Sequence, residues 1–337
     1  IKLASSADVN TPNIGIYTNK DAITLESNGT IEGGDKTVGI YGNSVKLGAN
    51  SLTKVGSGGT GVYSKGGNVT INGGTLSVGE NGIAGSNDAV GVYYVGAGGT
   101  ITNNAANINI GDSAYGFVVQ NENGAGVSLV ANTPNVTLGN DAVYTYSNNR
   151  AGTVINNTVL NSAGDGNYGI YSAGTVTNNA QINFGTGIGN VGMYSILGGT
   201  ATNNGNIIVG ETYVDSSDSN NNKYAIGMAA GYQKIDSGNI INNGTIDVRG
   251  NGSIGMYASG SNSYVRNSGT INLSEAGAMG IYLDEGARGD NYGTIQTVGS
   301  PAGVIAAVLR KGAILTNHPG AKIVVDSDGG AVEFRSR

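Results

Sequence analysis

Residues 90–111 read VGVYYVGAGGTITNNAANINIG, and their pattern decides the fold. Val90 and Val92, then Ile101, then Ile108 and Ile110 mark three short segments in which apolar and polar residues alternate. Alternation with a period of two belongs to a strand with one buried face. Gly and Asn fill the intervals between the segments, where tight turns need residues that accept left-handed backbone. No helical stripe occurs in the unit.

The unit repeats along the whole chain. Small apolar–Gly–apolar–Tyr recurs at Ile14–Tyr17, Val38–Tyr41, Thr60–Tyr63, Val90–Tyr93, Tyr168–Tyr171, Val191–Tyr194, Ile254–Tyr257 and Met279–Tyr282. Looser copies are Tyr115–Val118, Asp141–Tyr144, Ile226–Ala229, Ala302–Ile305 and Ala331–Phe334. A second phrase, Gly-Thr-Ile-x-Asn leading into Ile-x-apolar-Gly, follows it at Gly99–Gly111, Gly174–Gly185, Gly199–Gly210, Gly238–Gly250 and Tyr264–Leu273. The spacing averages about 26 residues, within the range of stacked repeats. Ankyrin-like arrays need helices, and a propeller blade needs a longer repeat. The pattern predicts an all-β, right-handed parallel β-helix of about 12–13 coils, three short strands per coil. A single such domain is expected over residues 1–337, continuing at both ends of a longer chain.

Stacking makes the arrangement coherent, because one coil cannot bury its apolar face alone and its neighbours can bury it. Val38 and Ile40 are expected to point inward, above and below Ile16 and Val62, with Gly39 and Tyr41 facing out. Tyr17, Tyr41, Tyr63, Tyr93, Tyr144, Tyr171, Tyr194, Tyr257 and Tyr282 would then line one outer stripe. Such a stripe either covers the sheet or serves as a contact surface. Asn103, Asn178, Asn203, Asn242 and Asn267 share one repeat position, and stacked Asn side chains can bond up the column as a ladder.

Composition narrows the function. The formal charge is -6 and the 17 Lys and Arg residues are scattered, which argues against nucleic acid. There is no Cys, which excludes disulfides and thiolate metal sites. No apolar run approaches the roughly 20 residues of a membrane helix. Ile1-Lys2-Leu3-Ala4-Ser5 has no initiator Met and no signal-peptide core, so both ends are expected to be cut from a longer chain.

Val-Gly-Ile-Tyr followed by Gly-Thr-Ile-x-Asn-x-Gly-x-Ile, repeated with irregular loops from about Ile14 to Phe334, resembles the passenger domains of large type V autotransporters. The likeness is greatest to the long outer-membrane adhesins of fusobacteria. The resemblance implies display on a Gram-negative cell surface, a membrane barrel elsewhere in the parent chain, and attachment to a host-cell protein or glycan, or to partner bacteria. A monomeric, non-enzymatic adhesin rod without cofactor or metal is the leading expectation. A glycan-cleaving β-helix of the tailspike or lyase type is the alternative, and a pure spacer is a third reading.

The chemistry visible in the sequence is sparse. A serine protease needs His near Ser and a carboxylate, and the one His, His318, lies in a turn-like Asn317-His318-Pro319. Glycan cleavage needs clustered carboxylates, whereas Asp21, Glu26, Glu80, Asp88 and Asp112 do not recur in one column. Arg288-Gly289-Asp290 is an integrin-type tripeptide, but Ala287 to Ile295 align with Tyr264 to Ile271, which sets it in or beside a coil strand. The run from Asp215 to Asn222 is rich in oxygen but lacks the central Gly and closing Glu of a calcium loop. It belongs to the longest interruption, Glu211 to Tyr224, whose Tyr213, Asp215, Asp218 and Lys223 are candidate ligand contacts because loops on rigid scaffolds carry function. Tyr41, Tyr63 and Tyr93 of the stripe are the other candidates.

Overall fold

The computed structural model describes residues 1–79, 88–232, 235–325 and 328–335, with Phe334 and Arg335 as backbone only. Glu80 and the Phe334 side chain therefore lie outside the described residues. The chain is an all-β parallel β-solenoid of about 12 turns. Three sheets build it, each coil giving one strand to each. The helix among the described residues is one 3-10 turn, Ser219–Asn221. Among the described residues no helix is long and apolar enough to cross a membrane.

Two compact units divide the chain, Ile1–Ala163 and Gly164–Arg337. In both, a coil passes first through a tyrosine sheet, then an asparagine sheet, then a closing sheet. In the first unit the tyrosine sheet runs from Ile14–Tyr17 to Val143–Ser147, and the asparagine sheet from Thr24–Ser27 to Thr153–Asn156. Its closing sheet runs from Lys2–Leu3 to Val159–Ser162. In the second unit the corresponding limits are Tyr168–Ser172 to Gly330–Arg335, Thr175–Asn178 to Ile314–Asn317, and Ile182–Ile188 to Lys322–Val324.

Register follows the repeat. Ile16, Ile40, Val62, Val92, Phe117 and Thr145 stand in one column of the first unit. Ile170, Met193, Met228, Met256, Ile281 and Ala307 do so in the second. Apart from the partly covered Ile16 of the first coil, these side chains are buried. Each large aliphatic one removed from water contributes about 1.5–3 kcal/mol, and only the adjacent coils can cover it.

Two expectations about the faces need correction. Gly39 faces the core, not solvent: a Cβ there would stand 2.6 Å from the Gly61 carbonyl oxygen and 3.0 Å from Thr53 Cγ2. Gly is required at this position because the next coil's backbone passes so close. Gly39 and Ile40 are both buried, and the residue before the Gly is only half-buried in most coils, although Val38 itself is buried.

Tyr144 does not belong to the outer stripe. Strand pairing sets Val143 opposite Tyr115 and Thr145 opposite Phe117, which places Tyr144 where other coils have Gly and puts Tyr146 in the stripe. Tyr144 is fully buried, edge-on to Phe117 at 5.6 Å. Its hydroxyl bonds Thr158 Oγ1 at 3.2 Å, and burial pushes its pKa far above the usual phenol value. The phrase near residue 302 is likewise displaced, because pairing aligns Ile305–Val308 with Met279–Tyr282. The last copy moves by one residue, with Gly330 rather than Ala331 opposite Ile305.

The predicted Asn ladder forms in the second unit and extends beyond the expected residues. Asn178 donates to Asn203 at 2.9 Å, Asn203 to Asn242 at 2.9 Å, and Asn242 to Asn267 at 3.0 Å. Asn267 then donates to Asn291 at 2.8 Å and Asn291 to Asn317 at 2.7 Å. The same side-chain amides also bond the carbonyl two residues on, as in Asn178 to Ala180 at 2.8 Å, which closes the turn. In the first unit Ala131 sits between Asn103 and Asn156 in the column. Asn103 there donates to Thr133 Oγ1 at 2.8 Å.

Candidate functional site

The tyrosine stripe of the first unit is a stack. Tyr17, Tyr41, Tyr63 and Tyr93 are in register, followed by Val118 and Tyr146. Ring centroids lie 5.3 Å apart for Tyr17–Tyr41, 4.8 Å for Tyr41–Tyr63 and 5.3 Å for Tyr63–Tyr93. The rings therefore cover one another's faces and leave edges and hydroxyls outward, with Tyr41, Tyr63 and Tyr93 half-buried. Burial, then the neighbouring Tyr41 and Tyr93, raises the pKa of Tyr63. In the second unit the stripe is interrupted. Ala229 stands between Tyr194 and Tyr257, while Tyr171 meets Tyr194 edge-on at 4.9 Å.

The interruption after Glu211 is a small hairpin. Tyr213 and Lys223 exchange backbone hydrogen bonds of 3.0 and 2.8 Å. Asp215 closes the tip by accepting from the Ser217 hydroxyl and Asn221 Nδ2, and from the backbone N–H groups of Ser217 and Asp218. Those bonds, the Ser217 hydroxyl first, hold its carboxyl far below the usual carboxylate range. Asp218 caps the 3-10 turn through Asn220 N–H. The two acids are thus occupied within the loop, whereas Tyr213, Val214 and Tyr224 are exposed. Asp215→Ala is expected to speed amide exchange at Ser217 and Asp218 and leave the global unfolding midpoint unchanged. Hydrogen-exchange mass spectrometry with a parallel melt checks both.

Arg288-Gly289-Asp290 lies within the strand Arg288–Asn291. Pairing sets Arg288 opposite Tyr264, one residue from the start of the sequence alignment. Gly289 faces the core, and the Asp290 carboxylate is engaged on both oxygens. Tyr264 donates to Oδ2 at 2.6 Å, and His318 Nε2 lies 2.8 Å from Oδ1. The Tyr264 hydroxyl, with His318 beside it, holds Asp290 below the usual range. Burial and that same bond push Tyr264 up to about 12. His318 also stacks on Tyr292 at 3.9 Å, and the Arg266 guanidinium lies 4.9 Å from the Tyr292 ring centre. Sequence spacing did not bring Tyr264, Arg266, Asp290, Tyr292 and His318 together; they meet because three successive coils place them at adjacent positions of the asparagine sheet, where Arg288 stands opposite Tyr264.

The scattered carboxylates remain scattered. Asp21 pairs with Lys65 at 3.2 Å and Glu26 with Lys46 at 3.1 Å. Asp112 accepts from Asn140 N–H at 2.8 Å, and Asp88 sits in a left-handed turn at φ 45. Among the described residues no group of three His, Asp or Glu is placed to hold a metal.

A family model described as the BigA third pectate lyase-like domain matches residues 184–291, a span that contains the hairpin and the Arg288-Gly289-Asp290 strand. The match agrees with the coiled architecture. No curated protein and no solved structure matches the chain.

Proposed function

We propose that this chain is a non-enzymatic section of a bacterial surface adhesin, displayed outside the cell as part of an autotransporter passenger of the fusobacterial kind. The use of its carboxylates carries the reading. Asp112, Asp165 and Asp35 each accept a backbone N–H from the next coil. Asp215 is spent on its own loop and Asp290 on Tyr264 and His318. General acid–base cleavage of a glycan needs carboxyl groups free to face the scissile bond, and these acids support the fold instead. Exposed aromatic side chains at the hairpin, Tyr213 and Tyr224, suit contact with a partner.

The test applies the purified 337-residue chain to host cells and partner bacteria, and in parallel to polygalacturonate and other acidic polysaccharides. Saturable attachment without polysaccharide breakdown is the expected result. Depolymerisation would replace the reading with the lyase alternative, and attachment to nothing would leave a spacer. Replacing residues 213–224 by a short Gly turn is expected to leave the melting curve in place, because Glu211 and Thr212 keep their bonds to the next coil and the flanking coils still stack. It should weaken attachment several-fold if the hairpin is the contact; unchanged attachment removes the hairpin from consideration.

A further inference from the structure

The outward face of the asparagine sheet changes character abruptly within the second unit. Its first outward column reads Thr175, Thr200, Asn239 and then Tyr264, Arg288, Ile314. The next column reads Thr177, Thr202, Ile241 and then Arg266, Asp290, Thr316. The turn position after the ladder reads Asn179, Asn204, Asn243 and then Ser268, Tyr292, His318. Outward positions bear no core packing, so small polar residues satisfy the fold, as the earlier coils demonstrate. Large aromatic and cationic side chains clustered on three successive coils are not something the solenoid requires.

Their electrostatics add to this. Several other cations are ion-paired: Lys65 with Asp21, Arg150 with Glu122, Arg249 with Asp247, Arg310 with Asp284. Arg266 and Arg288 are exposed, and neither has an ion pair among the described residues. The acid between them, Asp290, already has Tyr264 and His318 on its two oxygens. A chain of net charge -6 thus presents two exposed guanidiniums on adjacent coils, Arg266 opposite Asp290 and over the Tyr292 ring, Arg288 opposite Tyr264.

We propose that this face, centred on Arg266, Arg288 and Tyr292, binds an anionic saccharide, its sulfate or carboxylate held by the guanidiniums. Planar guanidinium donors match both oxyanions in paired hydrogen bonds. Around them Ser268, which accepts from Arg266 Nε at 3.1 Å, with Thr316 and Asn243, adds hydroxyls and an amide at the coil spacing of about 4.8 Å, similar to the rise per sugar of an extended glycan. A peptide is a poorer match. The strands Tyr264–Asn267 and Arg288–Asn291 are hydrogen-bonded on both sides and offer no free edge for strand addition. The inference rests on the adhesin reading, to which it supplies a ligand class.

The experiment measures binding of the 337-residue chain to a heparin-derived hexasaccharide, its fully desulfated counterpart, and neutral maltohexaose. The wild-type chain is expected to bind the first, more weakly as salt rises, and not the third. Retention by the desulfated sugar assigns the carboxylate as the recognised group; its loss assigns the sulfate. Arg266→Ala and Arg288→Ala are each expected to weaken binding about tenfold, with the melting midpoint unchanged. Arg249→Ala, on another sheet, should bind as wild type. Absence of binding to either anionic sugar, equal binding by the Arg variants, or equal competition by polyglutamate would overturn the proposal. Attachment to cells by a chain that ignores both sugars sinks this site alone, whereas failure to attach to any cell sinks the adhesin reading.

Discussion

Ile40→Asp, Val92→Asp and Ile170→Asp are each expected to unfold the coils around the substitution at neutral pH. The three side chains are essentially inaccessible, at 0%, 0% and 1% exposure. Ile40 is held between Ile16 and Val62 in its column, and Val92 between Val62 and Phe117. A carboxylate there loses its hydration and meets the apolar side chains of the adjacent coils. An uncompensated buried charge costs about 3–5 kcal/mol, and the lost aliphatic packing adds about 2 kcal/mol or more. That sum rivals the whole stability of a typical domain, about 5–15 kcal/mol. In a solenoid each coil is stabilised by its neighbours, so the damage should spread to both. Tyr41→Ser, on the half-exposed outer stripe, is expected to cost only about 1 kcal/mol in lost ring stacking. Thermal melts and hydrogen exchange of the four variants check the ranking. A Tyr41→Ser loss larger than that of Ile40→Asp would mean that the assigned faces are reversed.

That ranking is legible in the sequence because Ile40 and Tyr41 are neighbours in the apolar-x-apolar-Tyr phrase, and a period of two sends neighbours to opposite faces. The same rule explains the errors. Counting back from Ile40 sets Gly39 outward, but Gly39 and Ile40 are both buried, so alternation does not carry through the Gly. A Cβ placed 2.6 Å from the next coil's carbonyl is a three-dimensional fact with no local trace. The Asp141–Tyr144 copy was misplaced because two Tyr residues, Tyr144 and Tyr146, compete for one phrase. Only pairing with Tyr115 and Phe117 selects the second.

The patch around Asp290 was legible only in pieces. The sequence sets the tripeptide in or beside a coil strand and the lone His318 in a turn, with nothing along the chain to join them. Their separation along the chain, from Tyr264 to His318, spans three coils, and stacking converts it into contact. Repeat spacing could have signalled this, since Arg266, Asp290 and Thr316 occupy equivalent positions. In these columns the Thr and Asn of earlier coils give way to large aromatic and charged residues, a change visible between coils and not along any one of them. The exposed hairpin, by contrast, was legible as an interruption of the period, but the occupation of Asp215 by its own loop was not.

Asn242→Asp is the second large effect, and its sign depends on pH. Asn242 is fully buried in the ladder. It donates to Asn267 Oδ1 at 3.0 Å and to the Gly244 carbonyl at 3.3 Å, and accepts from Asn203 Nδ2 at 2.9 Å. A carboxylate of nearly the same shape keeps the one donor and turns two attractive contacts into oxygen facing oxygen. Burial and those two oxygens both disfavour the charge, so its folded-state pKa must rise above the unfolded value of about 3.9. The folded chain then holds a proton over a pH range in which the unfolded chain has released it. Stability therefore falls as pH rises above about 4 and levels off only beyond the raised pKa. Below about pH 4 both states are protonated, the acid O–H can donate along the ladder again, and the defect is smallest. At neutral pH the loss should reach about 3–5 kcal/mol, the range for a buried charge without a partner. Asn243→Asp makes the same chemical change on the exposed neighbour, which bonds Asn204 Oδ1 at 3.1 Å, and should cost less than about 1 kcal/mol. Melting curves of both variants at pH 3.5, 5 and 7 separate the two cases. A midpoint depression for Asn242→Asp that does not change with pH, or that matches Asn243→Asp, would show that the ladder does not tie these coils together.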